Sequence, residues 1–346
     1  MSKHSTVLVV NYVMDPENPL LSHQLEAVSA LAGQFSRVIV ITGKVGKFEA
    51  PDNVVVLNSN WIPGKPFSNF IRLLRISFPL IIKGKFDSAF FHMTDLQCAI
   101  LAPIIRLRGK KQVLWYAHTK KSIYLRWSFP WVNFVVTSTY GSCPLTGKKV
   151  VPIGQAIDSE KFREIPVAKL DFNKLVHIGR FDRSKNIGLL IQQARELRKD
   201  FANLTLSIVG HPANSESKVW ADNLVESSEQ DMRIGWLTFS ESIPRALIPS
   251  TMANFGCFFH AYLGSLDKTL VESTMLNVPV VSVNPEYLSI FGQWSLSKGP
   301  NLSAEYRAFR QLPFEEIAIE LQRRRMIALD NHSLKNWVSQ LAALLE

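Results

Sequence analysis

Short runs of β-branched and apolar residues alternate with amphipathic segments along this chain, and that alternation constrains the fold more than any other feature. Such runs are typical of buried parallel strands, and the segments between them have helical periodicity. In the first half we predict strands at Val7–Val10, Ser36–Thr42, Asn53–Leu57, Ala89–His92, Val113–Tyr116 and Phe134–Thr137. The predicted helices there are Leu21–Ala32, Phe67–Lys83 and Leu96–Arg108. This order predicts a parallel, doubly wound α/β sheet.

The alternation restarts after a polar connector, Lys161–Lys174. The second half has predicted strands at Leu175–Ile178, Leu204–Val209, Cys257–His260 and Val278–Val283, and a predicted helix at Asn186–Asp200. We therefore predict two doubly wound Rossmann-like domains that face an interdomain cleft, with ligands at the C-terminal ends of strands. The N-terminal domain is placed at residues 1–165 and the C-terminal domain at 166–329. A last amphipathic helix, within residues 330–346, is expected to pack back on the N-terminal domain.

Composition points to a cytoplasmic protein with a sizeable core. Hydrophobic residues make up 47% of the 346 residues. The apolar run Val7–Val10 is too short for a secretory signal, and no stretch approaches the roughly 18 apolar residues that cross a bilayer. The three cysteines (Cys98, Cys143 and Cys257) are widely spaced and form no C-x-x-C. This favours a reducing compartment, with neither a disulfide framework nor a zinc site.

The net charge of +10 is unevenly distributed. Residues 1–164 contain 20 Lys and Arg against 10 Asp and Glu, which leaves 19 of each sign in the rest of the chain. The whole positive excess therefore lies in the first half. Nucleic acid, an anionic membrane leaflet and a phosphorylated acceptor are all partners that would suit such a charge.

The first segment that indicates chemistry is His177–Asn186, where a predicted strand ends and a helix begins. Gly179 lets a ligand approach the backbone, and Arg180 and Lys185 lie close to the unpaired N–H groups of the helix start. Two cations and a helix N-terminus suit a diphosphate. The alternative is a plain strand-to-helix turn with solvated basic side chains.

The second segment is Gly264–Glu272, a polar loop that leads into a predicted helix. Main-chain N–H groups at the helix start can hold phosphate or sugar hydroxyls, and Glu272 can accept hydrogen bonds from a ribose diol. The alternative is a carboxylate favoured near a helix N-terminus by the macrodipole alone. The apolar strand with Pro279–Val281 follows closely.

Together these segments resemble the family-4 glycosyltransferases, which are retaining enzymes of the GT-B fold. The family pattern is G-R-x-x-x-x-K, a glycine after the next strand, E-x7-E, and a P-V-V strand. The matching residues here are Gly179, Arg180, Lys185, Gly210, Glu272 and Pro279–Val281. The segment Val151–Asp158, followed by Lys161 and Phe162, resembles the family's connection between its two domains.

The resemblance implies a role for each matched residue. Arg180 and Lys185 would neutralise the donor diphosphate, Glu272 would hold the nucleotide ribose, and His118 would contact the transferred sugar near its reacting carbon. His118 is equally well explained as a packed histidine at a strand end. The expected catalytic residues are His118, Arg180 and Lys185, and the expected donor-binding residues are Gly179, Gly210, Ser265, Asp267, Lys268, Thr269 and Glu272. No metal or cofactor is expected, since the donor is a nucleotide-diphosphate sugar and the chain has no D-x-D motif.

Two departures from the family pattern concern the donor and the acceptor. The first glutamate of E-x7-E is replaced by Gly264, and the run Ser265–Thr269 occupies that loop. Near the N-terminus the family's Gly-Gly loop is absent, and the stretches Asn18–Leu20 and Ser22–Gln24 stand in its place. We expect Asn18 and Ser22 to contact the acceptor.

Aromatic and basic residues are interleaved in two parts of the first half. The first part has the apolar residues Trp61, Phe67, Phe70, Ile71, Leu74, Phe78 and Ile81 among Lys65, Arg72, Arg75, Lys83 and Lys85. The second has Arg106, Arg108, Lys110, Lys111, Lys120, Lys121 and Arg126 next to Trp127 and Trp131. This pattern predicts contact with an anionic membrane surface, with Arg72, Arg75, Lys120 and Lys121 as contacts. A buried helix with solvated basic ends is the alternative.

The predicted function is therefore transfer of a sugar, with retention of configuration, from a nucleotide sugar to a hydroxyl of a glycan or lipid-linked acceptor. The expected setting is surface polysaccharide or lipopolysaccharide biosynthesis, at the inner face of the cell membrane and without a nucleic-acid partner. One alternative is an enzyme similar to the nucleotide-sugar 2-epimerases, which needs no acceptor. The other is a non-enzymatic protein that binds nucleic acid through its basic half, with an affinity that falls steeply with salt.

Overall fold

The computed structural model describes residues 5–18, 21–296 and 301–346. Its strands are β1 (Thr6–Met14), β2 (Arg37–Val45), β3 (Val54–Asn58), β4 (Ser88–His92), β5 (Lys111–Trp115), β6 (Phe134–Thr137), β7 (Val150–Pro152), β8 (Lys174–Ile178), β9 (Thr205–Val209), β10 (Leu237–Ser240), β11 (Cys257–His260) and β12 (Val280–Ser282). Its helices are α1 (His23–Ala32), α2 (Pro66–Ile82), α3 (Asp95–Leu107), α4 (Ile123–Ser128), α5 (Ile187–Leu197), α6 (Ser215–Ser227), α7 (Glu229–Ile234), α8 (Ile248–Met252), α9 (Lys268–Met275), α10 (Pro285–Phe291), α11 (Leu302–Gln311), α12 (Phe314–His332) and α13 (Leu334–Leu345).

The chain divides into two compact units, and the first comprises residues 1–156 and 334–346. Its sheet is parallel, with strand order β3-β2-β1-β4-β5-β6-β7. The last helix, α13, belongs to this unit because its apolar face is buried in the same core as the sheet. Trp337 and Leu341 of α13 lie in one cluster with Val9 of β1 and Phe90 of β4. The amphipathic pattern at the C-terminus therefore completes the first unit.

The first strand is longer than the apolar run at Val7–Val10 indicated. β1 continues to Met14, and its pairing with β2 extends to Val45. Two interactions make this possible in spite of the polar residues. The side-chain amide of Asn11 donates to the sulfur of Met14 at 3.2 Å, and Gln24 Oε1 accepts from the N–H groups of Tyr12 and Val13. Buried polar groups are tolerated in a strand when they are hydrogen-bonded in this way.

The second unit comprises residues 157–333. Its parallel sheet has strand order β10-β9-β8-β11-β12. Residues 157–165 lie in this unit, although the sequence analysis assigned them to the N-terminal domain. Phe162 and Ile165 are buried in the same core as Leu270 and Met275 of α9, and the Ile165 N–H donates to the carbonyl of Leu276. Packing of these two apolar residues against α9 sets the boundary earlier than residue 165.

The first five strands of each sheet follow the same order, 3-2-1-4-5, and in each sheet this order reverses beside the first strand. The reversal lies between β1 and β4 in the first unit and between β8 and β11 in the second. At such a point the connections leave to opposite sides, which opens a crevice at the carboxyl ends of the strands. The second of these crevices is flanked by His177–Asn186 and Gly264–Glu272. Within the described ranges, none of the helices combines the length and the hydropathy that a bilayer crossing needs.

Candidate functional site

Two glycines bring the carboxyl ends of β8 and β9 close together. The N–H of Gly179, just after β8, donates to the carbonyl of Val209 at 3.0 Å. A Cβ atom at Gly210, just after β9, would lie 1.8 Å from the carbonyl oxygen of Gly179. Any side chain at position 210 would therefore push the two strand ends apart. Packing against Gly179 therefore explains why position 210 is a glycine. The predicted contact of Gly210 with the donor stays a prediction.

The chain after β8 forms a short 3₁₀ turn, Arg183–Lys185, before α5 begins. Asp182 caps this turn because its Oδ1 accepts from the N–H of Ser184 at 2.8 Å and from the Ser184 hydroxyl at 2.6 Å. The hydroxyl contact is the main cause that lowers the pKa of Asp182. Asn186 then adopts a left-handed conformation with φ of 51°, and its side-chain amide donates to the carbonyl of Ala261. This bond fastens the turn to the chain that follows β11.

The two cations of this turn have different environments. Arg180 is exposed, whereas only 5% of Lys185 is exposed. The ammonium of Lys185 forms an ion pair with Asp267 and lies 3.9 Å from the centre of the Tyr262 ring. Sequence reasoning placed both cations beside a diphosphate. In the structure Arg180 faces solvent, and Lys185 already has a carboxylate partner.

Asp267 is the centre of a polar network that the sequence did not reveal. Its Oδ2 contacts Lys185 and also lies 3.0 Å from Nε2 of the buried His260. Burial by itself would raise the pKa of Asp267, but Lys185 and the hydrogen bond from His260 together hold it well below its usual range. Burial is the main cause that lowers the pKa of His260. Asp267 is therefore a carboxylate at neutral pH, beside a neutral imidazole.

The side chain of Asn284 holds the loop between β11 and α9 in place by hydrogen bonds to its backbone. The Asn284 side-chain amide donates to the carbonyls of Tyr262 and Gly264 at 2.9 and 3.1 Å, and its Oδ1 accepts from the N–H of Tyr287. Ser265 is buried in this loop, and Lys268 and Thr269 form the first turn of α9. Sequence reasoning missed Asn284, although an Asn-Pro pair before a helix is a recognisable N-cap signal.

Glu272, in the middle of α9, is almost completely buried, with 1% exposed. Its Oε1 lies 2.5 Å from Nη1 of Arg245, and the guanidinium of Arg245 lies 5.6 Å from the centre of the Phe162 ring. A carboxylate buried to this degree needs a cation or several hydrogen bonds. Arg245 supplies the cation, and no local sequence signal distinguishes it from other loop arginines.

The remaining predicted contacts lie in the first unit. His118 is exposed three residues after β5, and its Nδ1 accepts from the N–H of Lys120 at 3.0 Å. The Oδ1 of Asn18 accepts from the N–H of Leu21, and Ser22 is buried just before α1. His118 is thus not a packed histidine of the core. The segment Asn18–Leu20 lies partly outside the described residues, which include Asn18 only.

Helix α2 exposes one apolar face and buries another. Phe67 is 77% exposed and Phe78 50%, whereas Leu73 and Ile81 are buried in the core. Ile81 was wrongly grouped with the surface residues, because helical periodicity places it on the same side as Leu73. Arg75, Lys120 and Lys121 are exposed, while Arg72 is half-buried and donates to the carbonyl of Asn60 at 2.6 Å. The aromatic and basic surface is therefore narrower than the sequence indicated.

Two further buried histidines belong to the second unit. His177, in β8, has its Nδ1 3.1 Å from the carbonyl of Phe259, and burial lowers its pKa to about 3. His332, at the end of α12, has a pKa lowered to about 4 by burial. Both imidazoles are neutral at physiological pH. Within residues 5–18, 21–296 and 301–346, no three His, Cys, Asp or Glu side chains cluster closely enough to hold a metal ion.

Several solved structures share this architecture. HepE from Anabaena, determined in complex with UDP and glucose, has a TM-score of 0.74 and 14% identity, over 98% of this chain and 99% of HepE. Sucrose-phosphate synthase from Thermosynechococcus elongatus has a TM-score of 0.70 and 14% identity, over 99% and 98%. A glycosyltransferase from Rickettsia africae has a TM-score of 0.72 and 11% identity, over 99% and 98%. The fold is GT-B.

The family match in sequence lies in the second unit of this GT-B chain. Residues 158–289 match the family model of the glycosyl transferases group 1. The matched range includes Arg180, Lys185, Asp267 and Glu272, and it is less than half of the chain. No curated protein matches the chain in sequence. The family match and the shared fold support a transferase.

Proposed function

We propose that the protein is a retaining glycosyltransferase that uses a nucleotide-diphosphate sugar as donor. The main observation behind this proposal is that two charged segments meet between β8 and β11, where the strand order of the second sheet reverses. The turn after β8 brings Arg180 and Lys185, and the loop after β11 brings Asp267 and the start of α9. This is where an open parallel sheet binds nucleotides. The group 1 family match covers both segments.

Each donor contact follows from the chemistry of its side chain. The exposed Arg180 can pair with two phosphate oxygens at once, and Lys185 adds a second positive charge. These charges stabilise the nucleoside diphosphate as it leaves the sugar. The acceptor hydroxyl attacks from the face that the diphosphate leaves, so the sugar keeps its configuration. We further propose that Glu272 accepts from the ribose hydroxyls and that His118 contacts the transferred sugar.

The donor that we propose is a UDP-sugar. HepE has been determined with UDP-glucose, and its fold covers 98% of this chain. The test is thermal stabilisation of the purified protein by UDP-, GDP- and ADP-sugars, followed by an assay for release of the nucleoside diphosphate. We expect a rise in melting temperature with UDP-sugars. Stabilisation by none of the nucleotides would contradict the proposal. Conversion of the donor without any acceptor would favour a 2-epimerase instead.

The acceptor that we propose is a glycan or a lipid-linked molecule at the inner face of the cell membrane, in surface polysaccharide or lipopolysaccharide synthesis. Two observations support a membrane contact. The exposed aromatic side chains of α2 and α4 include Phe67, Phe78 and Trp127, and exposed basic residues lie near them in the sequence. Arg108, just after α3, donates to the carbonyl of Ile82 at the end of α2, which fastens these two helices to each other. Aromatic rings within a basic surface suit an anionic bilayer.

The membrane contact is tested by sedimentation with vesicles. We expect the protein to sediment with vesicles that contain anionic lipid at low salt and to stay in solution with neutral vesicles. Equal binding to both kinds of vesicle, or binding to neither, would contradict this part of the proposal.

A further inference from the structure

Asp267 is held in one orientation by a chain of hydrogen bonds. The N–H of Asn284 donates to Ser282 Oγ at 3.0 Å, so the Ser282 hydroxyl hydrogen is available for His260 Nδ1, 3.2 Å away. The other ring nitrogen of His260, Nε2, then carries the hydrogen and donates to Asp267 Oδ2. With His260 neutral, the side chains of Ser282, His260 and Asp267 all have hydrogen-bond partners. The network therefore fixes a negatively charged Asp267 against Lys185.

Tyr262 encloses Lys185 from another side. Its ring centre lies 3.9 Å from the Lys185 ammonium, a favourable cation–π contact. The ring also lies against the backbone of Gly264, where a Cβ atom would be 2.0 Å from the Tyr262 hydroxyl. A side chain at position 264 would move Tyr262 away from Lys185. Gly264, Tyr262 and Asp267 thus act together to enclose the ammonium.

The ion pair changes what Lys185 can offer to a ligand. A buried ammonium without a partner is costly, and Asp267 removes that cost in the ligand-free protein. The pair has no net charge, so it attracts a diphosphate less than a lone ammonium would. A diphosphate that approaches Lys185 is also repelled by the carboxylate of Asp267. Arg180, by contrast, is exposed, and the carboxylate near it is that of Asp182, whose pKa it helps to lower.

We propose that Asp267 competes with the nucleoside diphosphate for Lys185, and so weakens the binding of the nucleotide that transfer leaves behind. The inference rests on the proposed function, since it takes the diphosphate to bind at this turn. On arrival the diphosphate takes over Lys185, and the carboxylate of Asp267 keeps its hydrogen bond from His260. When the diphosphate leaves, Asp267 recovers the ammonium. Asp267 is a positioning residue in this scheme, because it acts through Lys185.

The test is the affinity for UDP, measured by calorimetry at low salt, in three proteins. Asp267→Asn keeps the size of the side chain but removes its charge, so we expect UDP to bind about tenfold more tightly than to the unchanged protein. Damage to the site would weaken binding, so a gain in affinity cannot come from misfolding. The matched control is Asp231→Asn, which removes the charge of another largely buried carboxylate of the second unit, one that pairs with the exposed Arg195. We expect the control to bind UDP normally.

Equal or weaker binding of UDP by Asp267→Asn would overturn the role of Asp267 alone, provided that the unchanged protein binds UDP. No UDP binding by the unchanged protein would overturn both this role and the proposed function. If Asp267→Asn does not fold, the structure of the unchanged protein with UDP decides. We expect the Lys185 ammonium to contact a phosphate oxygen and to have left Asp267. A UDP complex in which Lys185 and Asp267 remain paired would overturn the inference.

Discussion

The first five strands of the two units' sheets follow the same order, but the charged and polar side chains around the two sheets are very different. In the second unit, two pairs of charged residues near the carboxyl edge are largely enclosed: Lys185 with Asp267, and Glu272 with Arg245. In the first unit the charged residues are mostly exposed basic side chains among exposed aromatic ones. The shared sheet does not determine either function, because function depends on the side chains placed on it. We relate the second unit to a small anionic ligand and the first to an extended anionic surface.

The largest expected effect concerns the enclosed pair of the second unit. Glu272→Ala leaves the guanidinium of Arg245 without its carboxylate, so we expect a loss of about 3–5 kcal/mol in the free energy of unfolding. The double variant Glu272→Ala/Arg245→Ala should lose clearly less than the sum of the two single variants. Denaturant titration of the four proteins measures this coupling. Additive losses would show that the pair contributes no coupling to stability.

The next largest effect concerns the exposed cation of the same unit. Arg180→Ala should lower kcat/KM by about 10²–10³-fold, because one preorganised charge on the leaving diphosphate is lost. Arg183→Ala is the matched control, since Arg183 is an exposed arginine in the same turn to which no role is assigned. A steady-state assay of nucleotide release compares them. Similar losses in both variants would mean that only the overall charge of the turn matters.

A smaller effect is expected at the surface of the first unit. Phe67→Ser and Trp127→Ser should each weaken binding to anionic vesicles by about tenfold, since each removes an exposed aromatic side chain from the proposed contact. Ile319→Ser is the control, because Ile319 is 70% exposed on α12 of the second unit. Vesicle sedimentation measures all three. Equal weakening by the control would remove the distinction between the two units.

A dependence of stability on pH, measured as a slope, is also expected in the second unit. His177 and His332 have pKa values lowered to about 3 and about 4 by burial, so the unfolded chain binds protons that the folded chain does not. Stability should therefore fall as the pH decreases from about 6.5 towards 4, by at most about 1.4 kcal/mol per pH unit for each histidine. His332→Leu should reduce the slope between pH 6 and pH 4. An unchanged slope would contradict a neutral, buried His332.

The sequence predicts the parts of this structure that depend on local pattern. Apolar periodicity and turn residues are enough to predict three elements of the second unit: strand β8, the turn within His177–Asn186, and the helix that contains Glu272. The burial of Lys185 does not, because its partner Asp267 is 82 residues away along the chain. The same holds for Arg245, which begins a short 3₁₀ turn, Arg245–Leu247, that has no apolar pattern of its own. Ion pairs between distant loops depend on tertiary packing, so the residues around one partner in the sequence do not show which residue the other partner is.

The most direct test of the account is the structure of the protein with UDP bound. If the proposed function is correct, the diphosphate lies at the carboxyl ends of β8 and β11, in contact with the guanidinium of Arg180 and the ammonium of Lys185. A diphosphate bound elsewhere, or one that leaves both cations without a phosphate contact, would contradict it.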